Sequence, residues 1–138
     1  MTGLASKKMG IKEGARAYLV NAPAHAIEAI DPSQLDLAKK LNGKFDYIHL
    51  FTKNQEEFDD LFPRLKNHLK QTGMLWVSWP KKRRQGTDLT LTKVIELGYN
   101  HGLVESKTIS IDETWSAIKF THPKKGKVYK NSYGKLTS

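Results

Sequence analysis

The stretch Gly73-Met74-Leu75-Trp76-Val77-Ser78-Trp79-Pro80, followed at once by Lys81-Lys82-Arg83-Arg84, constrains the chain more than any other. Met74 to Val77 is apolar on both faces, which suits a strand covered on both sides, and the run is too short for a buried helix. Gly73 reads as the end of a preceding helix, because glycine tolerates the left-handed conformation there. Pro80 cannot donate to a ladder, so the strand is expected to end by Trp79. A buried strand that stops abruptly and opens into a run of cations sets the plan. β/α units lead into it, and a helix and a hairpin close the sheet.

The lead-in units are legible from pattern. Residues 1–10 form a polar lead-in with room for one helical turn, and Ile11-Lys12-Glu13-Gly14 reads as a turn. Ala15 to Val20 is a first strand, broken by Asn21-Ala22-Pro23. Pro23 suits a first helical position and Asn21 a nearby cap. Ala26, Ile27 and Ile30 then share one face of a short helix that ends at Asp31-Pro32-Ser33. Leu35 to Leu41 has helical propensity, but its place before the next strand favours an extended edge segment and a turn at Asn42-Gly43-Lys44.

Phe45 to Thr52 is a second strong strand. Asn54 and Glu57 have capping-box spacing, and Phe58, Leu61, Phe62, Leu65 and Leu69 make a helical stripe that Pro63 is expected to kink or split. Beyond the basic loop, Thr87 or Thr90 caps a helix with Leu91, Val94 and Ile95 inward and Gly102 at its end. Leu103 to Ile111 and Trp115 to Thr121 pair as a hairpin across Asp112-Glu113-Thr114.

Alternating strands and helices imply a mostly parallel sheet, with right-handed crossovers. The expected fold is a single Rossmann-like, three-layer α/β domain over residues 11–122, closed by an antiparallel hairpin and followed by a basic tail, 123–138. If the Leu35 segment and the Phe45 strand flank the first strand on opposite sides, that strand is the switch point. Ligands then bind outside the carboxyl ends of the strands, at Asn21-Ala22-Pro23, Thr52-Lys53 and Ser78-Trp79-Pro80-Lys81.

Several stretches together resemble one family: Ile11 to Gly14, Val20 to Pro23, Phe45 to Phe51, Gly73 to Lys82, Thr87 to Thr90, and Asp112 to Ser116. They resemble the bacterial domain-of-unknown-function family 3052 in register from about Lys8 to Thr121, a resemblance that implies no activity. The architecture also resembles the later half of a class I methyltransferase. Methyltransferases hold S-adenosylmethionine with a glycine-rich turn after the first strand and an acidic residue ending the second. The first turn here is Asn21-Ala22-Pro23, and no acidic strand end follows it, so no cofactor is assigned.

The absence of cysteine excludes disulfides and thiolate chemistry. No apolar run approaches the roughly 20 residues of a membrane span, and the first residues lack the apolar core of a secretory signal. A cytoplasmic protein with no membrane partner is expected. No phosphate-loop, dinucleotide or metal-protease motif is present, and the five histidines show no ligand spacing. His49, inside an apolar strand, reads as a satisfied core residue. Ser78 lacks a glycine elbow and is not a hydrolase nucleophile. No catalytic residue and no metal ligand is assigned.

The net charge of +9 gathers at Lys81 to Arg84 and in the tail at Lys124, Lys125, Lys127, Lys130 and Lys135. Such a field favours anionic partners; the alternative reading is a solvated surface that aids solubility. Lys81, Lys82, Arg83 and Arg84 precede Thr87-Asp88-Leu89-Thr90, a helix start whose free N–H groups suit an anion. Asp88 could instead pair with Lys81 or Arg83. Trp76 and Trp79 face opposite sides of their strand; Trp79 offers either a core contact or a stacking surface. The leading expectation is a non-catalytic domain binding an anionic, phosphate-bearing or nucleotide-like ligand. The alternatives are a divergent S-adenosylmethionine-dependent methyltransferase-like enzyme, and a nucleic-acid accessory protein using the loop and tail.

Overall fold

The computed structural model describes residues 4–81 and 86–124. Its elements run in the order α1 (Leu4–Met9), β1 (Arg16–Val20), α2 (Ala24–Ile30), β2 (Asp36–Leu37), β3 (Phe45–Phe51), α3 (Gln55–Lys66), β4 (Leu69–Pro80), α4 (Leu91–Asn100), β5 (Val104–Ser110) and β6 (Trp115–Thr121). The strands form one six-stranded sheet of order β2-β1-β3-β4-β6-β5. The first four strands are parallel, and β6 pairs antiparallel with both β4 and its hairpin partner β5. This is the expected α/β Rossmann-like arrangement, and Leu35 to Leu41 does supply the extended edge segment.

Strand alternation divides the core into two layers. Ile48, Leu50, Leu75, Val77, Trp79, Ile118 and Phe120 face α3 and α4, where Phe58, Phe62, Leu65, Val94 and Ile95 meet them. Tyr47, Phe51, Trp76, Trp115 and Ala117 face the opposite side, where Met9 of α1 and Ala26 and Ile30 of α2 cover them. The polar lead-in thus carries a helix whose last residue, Met9, is 1% exposed.

Five local readings change. Gly73 lies inside β4, not at a helix end; α3 stops at Lys66 and Asn67 caps it. The pairing of β3 with β4 slips between Phe45–Leu69 and Tyr47–Met74, so β4 carries extra residues there. A Cβ on Gly73 would sit 2.8 Å from the Phe45 carbonyl oxygen, so close backbone approach at this irregularity, not a helix terminus, requires the glycine. Leu69 accordingly leaves the helical stripe and opens β4.

Pro63 does not split α3: it falls in the last turn, and the helix runs unbroken from Gln55 to Lys66. Leu91 is 42% exposed, because α4 turns Val94, Ile95, Leu97 and Tyr99 inward instead. Pro80 is still in register with Trp115, because β4's last partner on this side is antiparallel and Lys81 supplies the next N–H, to the Thr114 carbonyl at 2.8 Å.

Candidate functional site

β1 lies between β2 on one side and β3 on the other, so the chain reverses its direction across the sheet at β1. Ligands collect outside the strand ends at such a point. A cleft of about 580 Å³ lies there, within the size range of small-molecule sites. Asn21, Pro23 and His25 form one side of it, Phe51, Thr52, Lys53, Asn54 and Glu57 the floor and second side, and Asp112, Thr114 and Trp115 the third.

Each wall has a local cause. Asn21 adopts φ +58, a left-handed conformation that asparagine tolerates better than most residues. Its Nδ2 reaches the Phe51 carbonyl at 3.4 Å, tying the end of β1 to the end of β3. It does not cap α2; Pro23 occupies the cap position, without a side-chain bond. Asn54 Oδ1 accepts the Glu57 N–H at 2.7 Å and starts α3 as the capping-box spacing predicts. On the hairpin, Asp112 Oδ1 accepts the N–H groups of both Thr114 and Trp115 at 2.8 Å, folding the turn so that Trp115 stands against Phe51. Their rings meet nearly edge to face, 5.3 Å between centroids.

Of the residues the sequence points to, the fold brings Asn21, Pro23 and Thr52 to this cleft. Ala22 packs onto the core beside them. Ser78 is fully buried and takes part in a chain of hydrogen bonds: Tyr47 Oη to His49 Nδ1 at 2.5 Å, and His49 Nε2 to Ser78 Oγ at 2.6 Å. His49 is therefore the satisfied core residue expected; burial holds its imidazole down to about 3. Trp79 is 5% exposed and belongs to the core beneath α3 and α4, which removes the stacking role weighed for it.

The basic loop resolves differently at its two ends. Lys81 turns toward the hairpin, donating to Ser110 Oγ at 2.5 Å and to the Asp112 carbonyl at 2.6 Å. Lys82, Arg83 and Arg84 lie outside the described residues. Asp88 does not pair with Lys81: its Oδ1 accepts the Gln55 N–H at 2.8 Å, at the start of α3. Thr87 donates to the Lys53 carbonyl at 2.5 Å, and Thr90, not Thr87, caps α4 through the Lys93 N–H. Thr87 and Asp88 thus brace the Lys53–Gln55 floor from behind without lining the cleft.

Lys53, expected at the strand end, lines the cleft too, and His25, Phe51, Asn54, Glu57, Asp112, Thr114 and Trp115 join the site from positions to which the sequence gives other roles or none. The signal available for them was positional: the residues just past β3 and the hairpin turn sit at the same end of the sheet once the strand order is known. Among the described residues, no group of three or more His, Asp or Glu could hold a metal ion. None of their helices is long and apolar enough to cross a membrane.

A six-stranded sheet with this order, a switch-point cleft and a closing hairpin define a methyltransferase-like Rossmann domain. Solved structures agree on the fold. A precorrin-6y C5,15-methyltransferase from Geobacter metallireducens superposes with a TM-score of 0.59 at 11% identity, covering 87% of this chain and 86% of that one. A TehB-like SAM-dependent methyltransferase from Corynebacterium glutamicum gives 0.57 at 11% identity, covering 86% of each chain. The magnesium protoporphyrin IX methyltransferase of Synechocystis, with bound SAH, gives 0.59 at 10% identity, covering 85% of this chain and 78% of that one. No curated protein matches the sequence. The chain belongs to the DUF3052 family of proteins of unknown function, whose model matches residues 11–124.

Proposed function

We propose that this protein is a divergent S-adenosylmethionine-dependent methyltransferase-like protein that takes an adenosyl sulfonium ligand into the switch-point cleft. The observation that carries the reading is the convergence of the β1, β3 and hairpin ends on one cleft, in a sheet ordered as in the SAM-dependent methyltransferase structures. When bound, S-adenosylmethionine supplies an electrophilic methyl group on a positively charged sulfur.

The cleft residues fit much of that ligand. Glu57 and Asp112 bring carboxylates toward a cationic group, and Phe51 with Trp115 gives an aromatic wall for a cation or a flat base. Asn21 reproduces with a left-handed φ the tight turn that glycine supplies in methyltransferases. This chemistry shifts the expectation from a polyanion held by the basic loop to a ligand carrying positive charge. Lys81, the described cation of that loop, is engaged at the hairpin instead.

One observation favours the second reading, ligand binding without catalysis. β2 has only two residues and ends at the exposed Leu37, so no carboxylate stands where methyltransferases place the acid after their second strand. Isothermal titration with S-adenosylmethionine and S-adenosylhomocysteine tests the first reading. Micromolar affinity, lost in Glu57→Ala, supports it, whereas undetectable or millimolar affinity sinks it. Tight binding with no methyl transfer to any acceptor in a labelled-methyl assay of cell extract favours the second.

A further inference from the structure

At the end of the sheet opposite the switch-point cleft lies a second concavity of about 480 Å³. Lys44, Lys66, Lys70 and His122 line it, with Asn67, Leu69 and Gln71 between them and no carboxylate in its wall. These residues come from four places in the chain: the turn before β3, the last turn of α3, the start of β4 and the residue after β6. The fold therefore concentrates three lysines from separate elements, with His122, almost eighty positions after Lys44, beside them.

The lysines are held rather than loose. Lys44 Nζ donates to the Asn67 carbonyl at 2.7 Å, and Lys66 Nζ to the His101 carbonyl at 2.7 Å. Both bonds satisfy carbonyls at helix ends, which is a structural use. Yet a carbonyl carries no formal charge, and an ammonium has three donors. Each lysine thus keeps its charge and donors for another acceptor. Lys70 alone meets a carboxylate, Asp46 at 3.0 Å, in a half-exposed pair of the kind worth little in water. His122 Nε2 lies 3.1 Å from the Leu69 carbonyl. Pinned cations have less side-chain entropy to lose on meeting a partner.

We infer that this groove is a nucleic-acid backbone site, contacting phosphodiesters through Lys44, Lys66 and Lys70. A membrane surface fits less well, because the groove is concave and, among the described residues, the exposed large apolar ones, Leu37 and Leu91, line none of it. No Phe, Tyr or Trp lines it, and the one ring there, His122, is tied to the Leu69 carbonyl, so recognition is of the backbone, independent of sequence. The chain leaves the described structure at Lys124, two residues past His122, and its sequence continues with Lys125, Lys127, Lys130 and Lys135. The site is separate from the cleft, and its test does not depend on what the cleft binds.

Fluorescence anisotropy with the full chain and labelled DNA duplexes of about 20 base pairs tests the inference, titrated from about 50 to 200 mM salt. Two duplexes of unrelated sequence are expected to bind alike. The triple variant Lys44→Gln/Lys66→Gln/Lys70→Gln is expected to bind about ten-fold or more weakly at low salt. Its salt slope should be shallower by about 2.7, since roughly 0.9 is lost for each of the three phosphate contacts. The charge-keeping triple Lys→Arg variant should bind within about two-fold of the parent, because phosphate contacts are mainly charge contacts.

Unchanged affinity and slope in the Lys→Gln triple would overturn the inference and move any binding to the loop or tail. So would a parent that binds no duplex but sediments with vesicles of about 30% phosphatidylserine. Should the triple variant fail to fold, Lys44→Gln and Lys66→Gln singly must each flatten the slope by about one, or the groove is not the site.

Discussion

Phe51 and Trp115 meet nearly edge to face, 5.3 Å between ring centroids, although 64 positions separate them. The contact joins the carboxyl end of a parallel strand to the first residue of the closing hairpin's second strand. It turns two core residues into one wall of the switch-point cleft, with Phe51 1% and Trp115 6% exposed. His49 stacks on the other face of this arrangement, 4.3 Å from Phe51, so the wall is rigid from behind.

Trp115→Phe is expected to report on the cleft. The swap keeps an apolar ring there but leaves part of a buried indole's space empty, and should cost about 1–3 kcal/mol. Trp76 and Trp79 do not line the cleft. Any change in tryptophan emission on adding S-adenosylmethionine should therefore come from Trp115 and vanish in the variant. A ligand-induced change that persists unaltered would place binding elsewhere.

Gly98 on α4 touches the Phe120 ring so closely that an added Cβ would lie 2.1 Å from Cε1. Gly98→Ala should cost about 1–3 kcal/mol by overpacking, read as a lower urea midpoint. Phe120→Leu opens space at the same place and carries its own cavity cost. Combined, the two should destabilise by about 1 kcal/mol less than their sum, since neighbours that share one space are not additive. Strict additivity would mean that α4 does not sit on Phe120.

These contacts mark the boundary of what the sequence discloses. Strand identity, sheet closure and the Asn54–Glu57 cap are local patterns, and each was legible. Gly73 was misread because a glycine after a helical stripe looks the same whether it ends a helix or admits a neighbouring carbonyl; the Phe45 oxygen that decides it lies 28 positions away. Trp79 and Lys81 do not line the cleft, again through contacts distant in sequence: Trp79 is packed into the core and Lys81 is held at the hairpin. Alternation tells which side of a strand a residue faces, not whether a helix covers that side. Asn21, Pro23 and Thr52 line the cleft because strand ends in a switched sheet share a location whatever their chemistry. Asp112 and Trp115 entered the site only through the order of β4, β6 and β5.

The buried Tyr47–His49–Ser78 chain should make stability depend on pH. His49 is held neutral, its value lowered from 6.5 to about 3 by burial. Between those values the unfolded chain binds a proton that the folded chain does not, so stability rises with pH there and falls as pH drops below about 6.5. The slope from this group approaches about 1.4 kcal/mol per pH unit once the unfolded histidine is charged. His49→Gln keeps donors and acceptors without titrating. It should lose stability at pH 8, yet flatten the profile between about pH 6 and 4.5, where the unfolded histidine charges before most carboxylates do. Equal slopes in parent and variant would place the acid sensitivity in other groups.

Lys81 is expected to act on stability rather than on anion capture. Its ammonium bridges the end of β4 to the hairpin through Ser110 Oγ and the Asp112 carbonyl, while its N–H holds the Thr114 carbonyl at 2.8 Å. The turn so fixed carries Asp112, Thr114 and Trp115 into the cleft. Lys81→Ala leaves the backbone bond and removes two charge-assisted ones in a partly exposed setting, a loss of about 1–2 kcal/mol. Denaturant unfolding should show that loss. Hydrogen exchange should show faster opening at the Thr114 and Trp115 amides, which Asp112 Oδ1 holds. Affinity for the cleft ligand should fall with the loosened turn, whereas phosphate and duplex binding should hardly change. The opposite pattern, intact stability with anion binding abolished, would return Lys81 to the role its sequence position suggests.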